Sequence, residues 1–235
     1  MAEQNKWVLE NFGRVDFQVD QFDRQIYQKG ARITWEKSCL CSCLDIHTGQ
    51  ADYNCPACGG KGYTYFDPEP IRAVVSGITG DKNQLPVGLL DVGTSFVTTM
   101  SKDAVGFRDR LIFEDFETAY SQIIAYDENG IKLKYPSLEL VAVRVLSTTL
   151  PKESLVLDHD NQTLHIDSSH GFKNGERLAI LYRIKPVYVV IDIPHELRGT
   201  FVKFGKPDEQ WTILPRQFLI KREDLLPLQR GDLTT

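Results

Sequence analysis

Residues 39–63 read CLCSCLDIHTGQADYNCPACGGKGY. All five cysteines of the 235-residue chain, Cys39, Cys41, Cys43, Cys55 and Cys58, fall inside this stretch. A disulfide framework in a secreted protein would scatter an even number of cysteines along the chain. An odd, tight cluster with no apolar leader at the N-terminus (MAEQNKWVLENFGRVDF) points instead to a reducing compartment and a metal. Cys55-Pro-Ala-Cys58-Gly59 has the spacing of a zinc knuckle: two residues between cysteines let both thiolates reach one ion, and the glycine permits the turn. Eleven residues separate Cys43 from Cys55, an ordinary loop between two ligand pairs. Zn²⁺ in a structural site takes four tetrahedral ligands. The favoured set is Cys41, Cys43, Cys55 and Cys58, with Cys39 the spare thiol. The pairs Cys39/Cys41 and Cys39/Cys43 remain open as the first ligand pair, and His47 is a weaker alternative ligand.

The reading is of a structural rather than a catalytic ion. A loop this poor in apolar residues cannot order itself, whereas bound zinc contributes on the order of 10 kcal/mol to ordering such a segment. A catalytic zinc would need an open coordination position and a neighbouring general base. An iron–sulfur cluster or a redox Cys-x-x-Cys fits less well, the latter because it usually opens a helix in a βαβ unit. Cys55-x-x-Cys58-x-Gly60-x-Gly62 also resembles the repeat of the zinc domain of DnaJ-type chaperones, over eight residues and as shared knuckle geometry only.

On either side of the cluster the texture is that of strands. ARITWEKS alternates apolar and polar residues up to Trp35 and enters the cysteine loop. Upstream, Phe22, Ile26 and Tyr27 share one helical face, with Asp20 as N-cap and Gly30 as stop, so a short docking helix is expected over about 20–29. Downstream, Asp67, Pro68 and Pro70 suggest a hinge near 67–70. From residue 71 onward come short β-branched runs: Val74-Val75, Ser95 to Val97, Leu111 to Phe113, Ser121 to Ile124 and Leu140 to Val143. Turn signals separate them, at Gly80-Asp81, Asp127 to Gly130 and Tyr135-Pro136. AYDENGIKLKY reads as a hairpin turning at Asn129-Gly130, and SLVLDHDNQTLHID as another turning at Asp160-Asn161. GERLAILYRI, PVYVVIDI, TFVKFG, QWTILP and FLIKRE follow. The expected fold is mostly β: barrel or sandwich domains, a short N-terminal helix and a small zinc-binding loop module. The expected division is 1–68 for helix and zinc module, 69–150 for a β-barrel, and 151–235 for a second β domain or an extension of the barrel.

Composition narrows the function classes. With 42% hydrophobic and 25% charged residues the chain is an ordinary globular one, long enough to bury roughly 70% of its unfolded surface. No run approaches a membrane span. The net charge of −5 argues against a protein that grips nucleic acid through phosphates, and Lys203 with Lys206, or Arg216 with Lys221 and Arg222, read as solvated faces. The histidines His159, His165 and His170 beside Asp158, Asp160 and Asp167 read as a polar hairpin. Glu114, Asp115 and Glu117 read as an exposed turn, and His195 with Glu196 and Arg198 as a strand-end turn. There is no phosphate loop, HExxH, GxSxG or dinucleotide fingerprint, and no enzyme is expected.

Read in order, the helix ending QKG, the strand ITWEK and the cysteine module are followed by GLLDVGTSFVTTM, DRLIFEDFETAYSQII, AILYRIKPVYVVIDIPHELRG and LPRQFLIKRED. This order resembles neck proteins of tailed bacteriophages, the head-closure or stopper proteins between portal or adaptor and tail, over roughly residues 20–225. The features that carry the resemblance are the four cysteines, Asp109-Arg110 opening a strand, Tyr182 with Pro186 and Tyr188, and Leu214-Pro215. It implies β-barrels in a homo-oligomeric ring, with portal or adaptor and tail or collar proteins as partners. DNA would pass through the channel without sequence-specific binding. The location implied is the virion, assembled in the host bacterial cytoplasm, with no membrane. The second β block exceeds what a minimal stopper barrel needs, which suits a domain facing outward or a docking surface for collar or fibre proteins. The competing reading is a zinc-ribbon nucleic-acid-binding protein.

Overall fold

The computed structural model describes residues 19–76, 93–194, 197–202 and 210–226. The expected turn at Gly80-Asp81, the residues His195, Glu196, Lys203 and Lys206, and the tail from Pro227 lie outside the described residues. Helix α1 spans Val19–Lys29 and stops at Gly30, whose N–H donates to Ile26 O at 2.7 Å. Of the expected apolar trio only Ile26 is buried; Phe22 and Tyr27 remain exposed. Asp20 sits in the first turn rather than before it. The helix is a docking arm. It lies against strands of the barrel below, and Asp23 ties it to the following loop by accepting from Ser101 N at 2.9 Å and Ser101 Oγ at 2.5 Å.

Six antiparallel strands close on themselves in the order β1 (Ala31–Leu40), β2 (Tyr63–Ser76), β3 (Thr94–Thr99), β15 (Gln217–Arg222), β12 (Val187–Asp192) and β4 (Arg110–Phe113), which pairs back with β1. Closure removes every edge of this sheet. Alternation puts Ile33, Trp35, Ile71, Ala73, Val97, Leu111, Phe113, Val190, Phe218 and Ile220 inside, so the barrel is packed with side chains. Asp67-Pro68-Glu69-Pro70 is not a hinge. β2 runs straight through it, and the register against β1 shifts between Trp35 and Lys37, with Asp67 at φ 54°. A bulge absorbs one residue and bends the strand, so the same ribbon serves the barrel and then carries the cysteine loop.

Between β4 and β12 the chain builds a second body. Strands β5 (Thr118–Ala125), β11 (Arg177–Ile184), β7 (Ser137–Val145) and β8 (Thr148–Thr149) form one sheet in that order; β6 (Ile131–Lys132), β10 (Thr163–Ile166) and β9 (Leu155–Asp158) form another. They enclose a core that includes Tyr126, Ile131, Val143, Leu164, Leu178, Ile180 and Tyr182, and Ile112 and Val187 from the outer wall of the barrel join it. These sheets cut across the expected divisions at 68/69 and 150/151. The barrel takes strands from both ends of the described chain, and the sandwich is an insertion spanning residue 150. A further two-stranded ribbon, β13 (Gly199–Val202) with β14 (Gln210–Ile213), lies between β12 and β15.

The β9/β10 hairpin forms as expected, its turn held by Asp158 Oδ1, which accepts from Asp160 N at 3.0 Å and Asn161 N at 3.2 Å. AYDENGIKLKY does not make a hairpin. Its turn exists, with Gly130 N donating to Asp127 O at 3.0 Å, but β5 and β6 leave it for different sheets. The turn chemistry was local and legible; the pairing partners were not. Gly130 has φ 116°, and a Cβ there would lie 2.4 Å from Thr163 Cγ2. Gly130→Ala is expected to cost about 2 kcal/mol through strain and the forced shift of Thr163, read as a lower midpoint of urea unfolding.

Candidate metal centre

β1 ends at Leu40 with Cys39 still in the ladder opposite Thr64. The chain then turns, and Cys41 N donates to Gly62 O at 2.9 Å, which closes the loop's two ends together. Within the loop Asp45 and Asp52 act as turn formers. Asp45 Oδ1 accepts from Thr48 N at 2.7 Å and His47 N at 2.9 Å, and Asp52 Oδ1 from Asn54 N at 3.0 Å. Gly59, Gly60 and Gly62 all have φ between 58° and 80°, and a Cβ on Gly60 would lie 3.2 Å from Tyr53 O. The glycine-rich run is therefore required by the knuckle's backbone.

This fold brings Cys41, Cys43, Cys55 and Cys58 together, with all four sulfurs within 4.8 Å of one another. Cys41 Sγ is 3.7 Å from Cys55 Sγ, and Cys43 Sγ is 3.5 Å from Cys58 Sγ. Four sulfurs placed tetrahedrally at about 2.3 Å from one ion stand about 3.8 Å apart, close to the two separations above, so the four cysteines could hold one metal ion. Cys41, Cys55 and Cys58 are buried and Cys43 is partly so, while Cys39 is exposed and outside the cluster. His47 is also exposed and no member of it. Among the described residues this is the one grouping of three or more Cys, His, Asp or Glu whose ligand atoms converge in this way.

The electrostatics favour a cation. The N–H groups of Cys58 and Ala57 draw the Cys55 thiol down to about 7, and Gly62 N–H points at Cys58 Sγ from 3.4 Å. Burial, and then the neighbouring thiols of Cys41 and Cys58, push Cys43 the other way. Four thiolates cannot share this space without a positive charge at its centre, which a metal ion would supply.

The knuckle is fastened to the barrel by a partly buried ion network. Lys61 Nζ lies 3.1 Å from Glu223 Oε1, on the short 3₁₀ turn Glu223–Leu225; the Glu223 side chain is only 6% exposed. Arg110 pairs with Glu36, reaches to 4.0 Å from Glu223 Oε2 and stacks 4.3 Å over the Tyr65 ring. Nothing in the sequence links Lys61 to Glu223, 162 positions apart. Beside the network Arg108 lies over both Tyr63 at 5.1 Å and Phe107 at 5.4 Å. This basic–aromatic stack next to the knuckle was invisible in the sequence, because Tyr63 comes from a different segment from the adjacent pair Phe107-Arg108.

The other candidate groupings disperse. Glu114 binds Lys185 and Thr34, which hold its carboxyl below the usual range, and Asp115 is held low by Arg32 at 2.5 Å. Glu117 pairs with Arg183 at 3.4 Å. His170 stacks on Phe172, and His165 sits on the outer face of β10. Among the described residues no helix is long and apolar enough to cross a membrane. No protein-family model matches the chain, and no curated protein is detectably similar to it.

Proposed function

We propose that this chain is a non-catalytic building block of the neck of a tailed bacteriophage, repeated as a homo-oligomeric ring around the path of the DNA, with Zn²⁺ held by Cys41, Cys43, Cys55 and Cys58. The observation that carries the reading is the way rigid bodies are joined. A closed, filled barrel is fused through one continuous β ribbon to a four-cysteine module and carries a β-sandwich on its outer wall. Zinc in this site is architectural: four thiolates fill a tetrahedron and leave no position for substrate. The metal fixes a loop that would not order by burial and presents it as a docking surface for an adaptor, portal or tail protein. Because side chains fill the barrel, the DNA passage lies on the axis of the assembly and not within a subunit. A net charge of −5 suits a surface along which phosphates slide, since counterion release gives an acidic chain little hold on DNA. Electron microscopy of particles carrying a tagged copy tests this: label at the head–tail vertex and ring-shaped density supports it, and label elsewhere or none on the particle defeats it.

The stack of Arg108 on Tyr63 and Phe107 favours one alternative, a zinc-ribbon module that binds single-stranded nucleic acid through basic and aromatic groups. A gel shift over a salt series separates the two, because retention that weakens steeply with salt belongs to the second reading alone.

A further inference from the structure

Leu146 stands at the tip of the β7/β8 hairpin. Val145 pairs with Thr148, leaving a two-residue loop of Leu146 and Ser147. Leu146 has φ 52° and is 97% exposed. That position in a tight hairpin normally goes to glycine or asparagine, because a side chain there is strained. A leucine at this point costs conformational energy and holds a large apolar group in water, and the folded single chain gains nothing visible from it. The hairpin is otherwise firm: Arg144 Nη2 donates to Ser147 O at 3.3 Å across the turn.

At the opposite end of the same sheet lies an apolar cleft of about 250 Å³, lined by Val75, Phe113, Phe116, Pro186, Tyr188 and Ile220 among others. It opens where the sandwich meets the barrel, beside Thr118. An apolar cavity of about 150 Å³ already accommodates a benzene-sized guest, so this one has room for a leucine side chain. Thr118 pairs with Ile184, and Ile184 with Ser137, so the cleft sits at the Ser137 end of β7. Leu146 follows the far end of that nine-residue strand, about 30 Å away. Leu146 therefore cannot fill the cleft of its own chain. Charge permits the match: exposed Arg144 flanks the knob, and of the two charged residues lining the cleft Arg222 is paired with Asp224 at 2.7 Å, while Glu117 sits in an exposed pair with Arg183 that a second arginine can join.

We propose that copies of this chain join head to tail, with Leu146 of one seated in the Val75/Phe113/Phe116 cleft of the next and Arg144 facing Glu117. A knob and a hole on different patches of one subunit make a heterologous contact, which closes into a ring when the rotation per step allows. A single hairpin tip buries little area, so one junction is weak. Ring closure engages both patches of every copy and raises the effective concentration of the last contact. The inference rests on the self-assembly part of the proposed function and is independent of the metal and of the neck setting.

The test is sedimentation velocity and native mass spectrometry of the full chain over a concentration series, with Leu146→Asp and Phe116→Glu. Both positions are solvent-exposed, and circular dichroism checks that each variant stays folded. Wild type is expected to self-associate, and each variant to weaken association about 10- to 100-fold, the worth of one buried leucine. Mixing the two variants at the highest concentration of the series is expected to give one-to-one heterodimers that neither variant forms alone, because each retains the half that the other lacks and a single weak junction is populated there. Wild type that stays monomeric at every concentration overturns the proposal. Wild type that assembles while Leu146→Asp assembles equally also overturns it, but leaves the ring reading standing. Variants that both dissociate yet fail to complement show that the contact is not head to tail, and overturn it too.

Discussion

Serine at both Cys55 and Cys58 is expected to abolish stoichiometric metal binding and to disorder the loop between Cys41 and Gly62. The loop has no apolar core of its own; its buried centre consists of the cysteines themselves. Removing two of four thiolates forfeits most of a coordination free energy of about 10 kcal/mol. Part of that loss reaches beyond the loop. Lys61 follows Cys58 closely, with Lys61 N donating to Cys58 O at 3.1 Å, and its ammonium is the nearest cation to the buried Glu223 carboxylate. Once Lys61 moves away, Glu223 keeps only the longer contact with Arg110, and a buried carboxylate short of a partner is costly. The double variant, and wild type treated with a strong chelator, should therefore show early proteolysis within residues 41–62 and a lower melting temperature. Cys39→Ser should change neither metal content nor melting, because Cys39 is exposed and outside the cluster. Metal content by elemental analysis together with limited proteolysis decides it. A double variant that melts and resists protease like wild type would show that the site has no structural role.

Alanine at Asp109 is expected to be the most damaging single change in the barrel. The carboxylate is 5% exposed and accepts from Trp35 Nε1 at 2.7 Å, Gly106 N at 2.7 Å, Ser38 N at 2.9 Å and Ser38 Oγ at 3.1 Å. It thereby holds three segments: the loop before β4, the core indole of β1 and the start of the ribbon that leads to the knuckle. Hydrogen bonds to a charged acceptor are worth more than neutral ones, and truncation leaves three N–H donors without partners. The loss is about 4 kcal/mol, or roughly 8–16 °C of melting temperature for a domain of this size. Thermal unfolding followed by tryptophan fluorescence reads it, and a shift of a degree or two would mean that water replaces the carboxylate freely.

The residues differ in how much of this they declared beforehand. Knuckle spacing is a local property, and so Cys55 and Cys58 were legible as a pair, with Cys41 and Cys43 favoured beside them and the Cys39 pairings left open. What separated Cys39 from the set was the point where β1 leaves its ladder, at Leu40, which the alternating pattern does not mark. Strand texture was likewise local, and the runs at Ser95, Leu111, Ser121 and Leu140 all lie in strands. Pairing was not local. The prolines at 68 and 70 look like a boundary in one dimension, yet Pro68 lies in a bulge and Pro70 stands in the ladder opposite Thr34, so the strand continues through both. Asn129-Gly130 forms the expected turn between two strands that then part company.

Sequence alone determined the β class, the short helix before the first strand and the Cys55/Cys58 knuckle, because each depends on spacings of a few residues that the backbone enforces directly. Only the tertiary structure decided that residues 118–184 are an insertion in a barrel closed by strands from both sides of them. It also set Glu223 against Lys61 and Arg110, and put a bare leucine at one end of a sheet with an apolar cleft at the other. Those outcomes depend on which distant surfaces are buried together, a many-body competition for apolar area and polar partners that no short window of residues records.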